Sequence, residues 1–126
     1  MHKKTKGSLT IVGAGPGDPE LITLKGIKAI KQADVILYDA LVNTEILAHN
    51  TQGKHFFVGK RKGAHAFRQI EINKMLVNFV KDGKQVVRLK GGDVSVFARA
   101  AEEIDYATRH NIEATLIPGI SSFTGI

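Results

Sequence analysis

A chain of 126 residues, 43% hydrophobic and without a low-complexity tract, fits one domain with a real core; with no cysteine, it has no disulfide, thiolate metal site or cysteine nucleophile. That lack fits a reducing, cytoplasmic setting, no apolar run reaches bilayer length, and Met1 to Gly7 lacks the apolar segment of a secretory signal and reads as a basic tail. The formal net charge of +6 favours anionic partners without choosing among nucleic acid, membrane surface and an acidic metabolite.

In chain order, Ser8 to Val12 is an apolar strand, followed by the glycine loop Gly13-Ala14-Gly15-Pro16-Gly17. A helix is predicted from about Pro19 to Gln32, with Asp18 as its N-cap and Pro19 at the first helical position. Val35 to Tyr38 is a continuous apolar run, as expected of a strand covered on both faces. Thr44 to His49 reads as a short helix, His55 to Val58 as a third strand, and Ile70 to Val80 as an amphipathic helix closed by Asp82-Gly83. Val86 to Leu89, Ala98 to Arg109 and Ala114 to Ile117 complete the series as strand, helix and strand. Strands alternating with helices specify an α/β fold: an open, mostly parallel five-stranded sheet with helices on both faces, over residues 8–126 after the tail 1–7.

Five short motifs each follow a predicted strand: the glycine loop, Tyr38-Asp39, Gly59-Lys60-Arg61, Gly91-Gly92-Asp93 and Pro118-Gly119. In an open parallel sheet, ligands bind in the crevice outside the carboxyl ends of the strands, so these motifs are expected to line one rim. A dinucleotide fingerprint beginning at Gly13 fails where Asp18 stands in place of its third glycine, and no phosphate-binding P-loop is present. Asp39 is placed either to accept a proton or to serve as a helix cap for the following segment. Lys60 and Arg61 suit carboxylate binding, with a solvated face as the plain alternative. Ser121 and Ser122 do not form a hydrolase elbow, because Phe123 occupies its last glycine position. The five histidines show no paired metal-ligand spacing. Lys54, His55, Lys60, Arg61, Lys62, His65 and Arg68 form a basic run between positions 54 and 68; it lacks the interleaved aromatics of a single-strand nucleic-acid groove and fits a polycarboxylate at least as well.

Val12 to Pro19, Ala33 to Asp39, Val58 to Gly63, Gln69 to Asn73, Val86 to Asp93 and Ile117 to Ile120 together closely resemble the uroporphyrinogen-III C-methyltransferases, a branch of the tetrapyrrole methylases. The resemblance spans Leu9 to Ile126 and covers the first of the family's two α/β domains, so the second is expected outside this sequence and the chain is expected to be inactive alone. It implies S-adenosylmethionine as methyl donor, no metal, a tetrapyrrole substrate, a homodimer in the complete protein, and neither membrane nor nucleic acid as partner. By motif, Pro16, Gly91, Gly92, Asp93, Val96, Ser121 and Ser122 fall where the family contacts S-adenosylmethionine. Asp39 falls at its proton acceptor, Lys60 at its proton donor, and Lys60 with Arg61 at its substrate carboxylates. The chain departs from the family pattern at Ala40, where arginine is usual, and at Val94, Ser95, Ala98, Ala100 and Ala101, where proline, an aromatic, and an arginine- and glycine-rich segment are usual. An RNA-modifying methylase of similar fold and a non-enzymatic nucleotide-binding module stand as alternatives, the former because of the net charge.

Overall fold

The computed structural model describes residues 6–14, 22–59, 68–91 and 96–119, with residues 96–99 given by their backbone. The elements are β1 (Ser8–Gly13), α1 (Leu24–Gln32), β2 (Val35–Tyr38), a 3₁₀ turn (Thr44–His49), β3 (Lys54–Phe57), α2 (Gln69–Lys81), β4 (Gln85–Lys90), α3 (Val96–Arg109) and β5 (Ala114–Ile117). All four strand pairings are parallel, in the order β3-β2-β4-β1-β5, giving the expected α/β sheet.

Strand alternation divides the core into two layers. Val12, Val87, Leu89 and Ile36 pack with Ile22 and Ile30, and with Val42, Ile46 and Leu47 around the 3₁₀ turn. Leu9, Val35, Leu37 and Val86 pack on the opposite face with Ile72, Leu76 and Val80 of α2 and Ala107 of α3. Burying each large aliphatic side chain contributes about 1.5–3 kcal/mol, so the two layers hold the strand ends in fixed register.

The predicted strands lie within one residue of their observed positions, because short apolar runs between turn residues leave little freedom in placing them. The first helix differs. It starts at Leu24, not Pro19: Thr23 has an extended backbone, φ −78° and ψ 163°, and its hydroxyl accepts from Gly26 N at 3.1 Å. A threonine that satisfies a first-turn amide sets the start of the helix; Asp18 and Pro19 lie outside the described residues. At the end of α2, Gly83 takes φ 83°, and Lys84 N reaches back to Phe79 O at 3.1 Å, the turn expected from Asp82-Gly83.

Candidate active site

The chain moves from β1 to β2 to β3 toward one edge of the sheet, then reverses to reach β4 and β5. The segments leaving β1 and β2 lead to the layer containing α1 and the 3₁₀ turn, whereas β4 leads to α3 on the other face. Neighbouring strands whose connections depart to opposite faces open a crevice at their carboxyl ends. Here β4 lies between β1 and β2, so Gly91 occupies the switch point, flanked by Ala14 and Asp39.

One peptide unit joins those flanks. The carbonyl of Lys90 accepts from Ala14 N at 2.8 Å, and the amide of the same peptide, Gly91 N, donates to Asp39 Oδ1 at 3.4 Å. Asp39 Oδ1 also accepts from Leu41 N at 3.0 Å, and Val42 N donates to Asp39 O at 3.3 Å, closing a tight turn. Asp39 therefore holds its own turn and is not the helix cap that one of its two sequence readings expected, since Asn43 caps the following 3₁₀ segment through Glu45 N; its half-buried carboxylate faces the switch point.

Two glycines hold that turn from either side. A Cβ at Gly91 would stand 2.3 Å from the carbonyl carbon and oxygen of Leu41, and one at Gly59 would stand 2.7 Å from Ala40 N. Both contacts are with backbone, so no larger residue fits either position without moving the turn. The structure thus gathers Asp39, Gly59 and Gly91, from three of the five motifs, at one place. Leu41 beside them is 61% exposed, an apolar side chain at the mouth of the crevice.

Beneath this rim lies a buried charged trio that the sequence reading missed. Arg88 and Lys90 alternate with Val87 and Leu89 and point toward α3, where Glu103 Oε2 lies 2.8 Å from Arg88 Nε and Oε1 lies 3.1 Å from Lys90 Nζ. All three side chains are at most 5% exposed. At 3.1 Å the contact between Lys90 Nζ and Glu103 Oε1 is a buried ion pair. Arg88 also donates to Leu37 O and Leu89 O, and Gln69 Nε2 reaches Glu103 Oε2 at 3.2 Å. Burial first, and then the neighbouring Arg88 guanidinium, push the Lys90 amine below its ordinary 10.5, while the carboxylates of Glu103 and Asp39 pull it back. The signal available in the sequence was a pair of cations two residues apart in a strand covered on both faces, which requires a buried anion nearby.

Val96 opens α3, five residues beyond Gly91. Pro16, Lys60, Arg61, Gly92, Asp93, Ser121 and Ser122 lie outside the described residues. Of the basic run, Lys60, Arg61, Lys62 and His65 lie outside the described residues. Lys54 and His55 are exposed at the start of β3, at the end of the strand away from the carboxyl rim, and Arg68 pairs with Glu71 at the start of α2. Among the described residues no three His, Asp or Glu side chains are grouped to hold a metal ion, and no helix is long and apolar enough to cross a membrane.

Residues 8–126 match the family described as Tetrapyrrole (Corrin/Porphyrin) Methylases, and the chain belongs to that family. It is 57% identical over 117 residues to the uroporphyrinogen-III C-methyltransferase of Methanocaldococcus jannaschii, covering 92% of this chain and 48% of that protein. The enzyme of the same name from Cyanidium caldarium is 50% identical, with 96% of this chain and 49% of the relative aligned. A crystal structure of uroporphyrin-III-C-methyltransferase from Thermus thermophilus superposes with a TM-score of 0.79 at 37% identity, over 93% of this chain and 49% of that one. A second from Thermus thermophilus, complexed with S-adenyl homocysteine, gives 0.74 at 42% identity, over 91% of this chain and 46% of that one. The chain spans about half the length of these relatives.

Proposed function

We propose that this chain supplies the first half of an S-adenosylmethionine-dependent C-methyltransferase that converts uroporphyrinogen III to precorrin-2, on the way to sirohaem or cobalamin. The observation that carries the reading is the Asp39 turn fixed between Gly59 and Gly91 at the switch point of a tetrapyrrole methylase sheet. The complete protein is a cytoplasmic homodimer in this reading, with the crevice closed by a second domain.

The residues present fit a methyl donor of this kind. The support is the switch-point crevice itself, where β1 and β2 lead to one face and β4 to the other, while the bare backbone of Gly91 lets the Asp39 turn pack directly against the end of β4. Pro16, Gly91, Gly92, Asp93, Val96, Ser121 and Ser122 would hold the donor. When bound, S-adenosylmethionine supplies an electrophilic methyl group on a sulfonium sulfur. The protein's main task is to hold the pyrrole carbon in line with that methyl at near-attack distance. The new carbon–carbon bond would take its electron pair from the pyrrole as the methyl–sulfur pair returns to sulfur and a neutral thioether departs, leaving a cationic macrocycle. Asp39 accepts the proton whose C–H electrons restore conjugation. Lys60 serves as proton donor, and Lys60 and Arg61 pair with the carboxylates of the substrate.

The test joins this chain to the second half of the Methanocaldococcus jannaschii relative and supplies uroporphyrinogen III with S-adenosylmethionine. Precorrin-2 is expected, with turnover falling about a hundredfold or more in Asp39→Asn. A folded chimaera that transfers no methyl group, or an Asp39→Asn variant with full turnover, overturns the proposal.

A further inference from the structure

The buried trio does more than tie β4 to α3. Among the described residues two cations share one anion there, leaving a surplus positive charge immediately below the rim. A surplus charge out of water draws the nearest available counter-charge, because the local dielectric weakens its field little. Among the described residues that counter-charge is Asp39, which the β2–β4 register sets beside Lys90, one residue past the Tyr38–Leu89 pair, and whose carboxylate accepts from the amide that follows Lys90. Asp39 Oδ1 is in turn the acceptor for Leu41 N. The link therefore runs from the Glu103 ion pair with Lys90, through the charge of Lys90 acting on Asp39, to the hydrogen-bonded turn carrying Leu41.

We propose that Lys90 is a positioning residue for Asp39, its buried ammonium, anchored by Glu103, holding the Asp39 carboxylate against Gly91 at the mouth of the crevice. This rests on the proposed role of Asp39 as proton acceptor. Lys90 itself, 4% exposed beneath the rim, acts through Asp39 and does not touch the substrate. Arg88 does not take its place, because its guanidinium is committed to Glu103 and to the carbonyls of Leu37 and Leu89.

The reporter is the backbone amide of Leu41, remote from Lys90 in sequence and bonded to Asp39. In the isotope-labelled chain, Lys90→Met is expected to move the Leu41 amide resonance, Lys90→Arg to restore most of its wild-type position, and Lys90→Met to leave it unmoved when added to Asp39→Asn. In the chimaera, Lys90→Met should lower kcat about tenfold with KM for S-adenosylmethionine unchanged, and should cost little further in Asp39→Asn, the non-additivity expected of residues acting as a unit. If Lys90→Met fails to fold, Lys90→Gln is read in the same way. A Leu41 resonance indifferent to the loss of Lys90, or one that shifts equally with and without the Asp39 charge, overturns the proposal. The amide coupling does not depend on methyl transfer. Its presence in a chain whose chimaera is inactive would count against the methyltransferase reading while supporting the link between Lys90 and Asp39.

Discussion

Lys90 Nζ stands 3.1 Å from Glu103 Oε1, and the two side chains are 4% and 0% exposed. The pair is unequal in its consequences, because Glu103 forms ion pairs with two cations, whereas among the described residues Lys90 forms one, with Glu103. Removing Glu103 strands two buried positive charges, whereas removing Lys90 leaves Glu103 still bonded to Arg88. Glu103→Gln is expected to cost about 3–5 kcal/mol of stability, and Lys90→Met to be near neutral or slightly stabilising. Urea unfolding of the two variants measures this; equal losses would show that the surplus charge is not where the structure puts it.

The same burial makes stability depend on pH. The folded-state value of Lys90 lies below its unfolded 10.5, so between the two the unfolded chain holds more protons and the contribution of position 90 becomes more favourable as pH rises. The cost of burying the ammonium is thus fully present below the folded-state value and is relieved as pH rises from that value to 10.5. Measured against Lys90→Met from neutral pH upward, the wild type should gain relative stability across that window. A difference that stays constant with pH would contradict the assignment.

Gly91→Ala is expected to destabilise the chain by about 1–3 kcal/mol, since its Cβ would fall 2.3 Å from the Leu41 carbonyl and 2.6 Å from Val42 N. The neighbouring atoms are backbone and cannot rotate away, so the Asp39 turn must shift. Thermal unfolding reads the stability loss, and the Leu41 amide resonance reads the displacement; an alanine tolerated without either change would mean that the turn has room to spare.

Sequence alone determined the elements and their edge. Val35 to Tyr38 and Ala114 to Ile117 are strands as read, because apolar runs of that length bounded by polar turns have few other places to go. The parallel sheet followed from their alternation with helices, and with it the placement of Asp39 and Gly91 at the carboxyl ends of β2 and β4. The start of α1 was misplaced because Asp18-Pro19 carries the local signature of a helix start, and Thr23 carries a plainer one. What only the tertiary structure decided is the strand order, which places β4 between β1 and β2 and so lets one peptide bind both Ala14 and Asp39. It also decided that Arg88 and Lys90 share Glu103 from α3. Periodicity is a property of neighbours along the chain, whereas a buried charge is satisfied by whichever element packs over it.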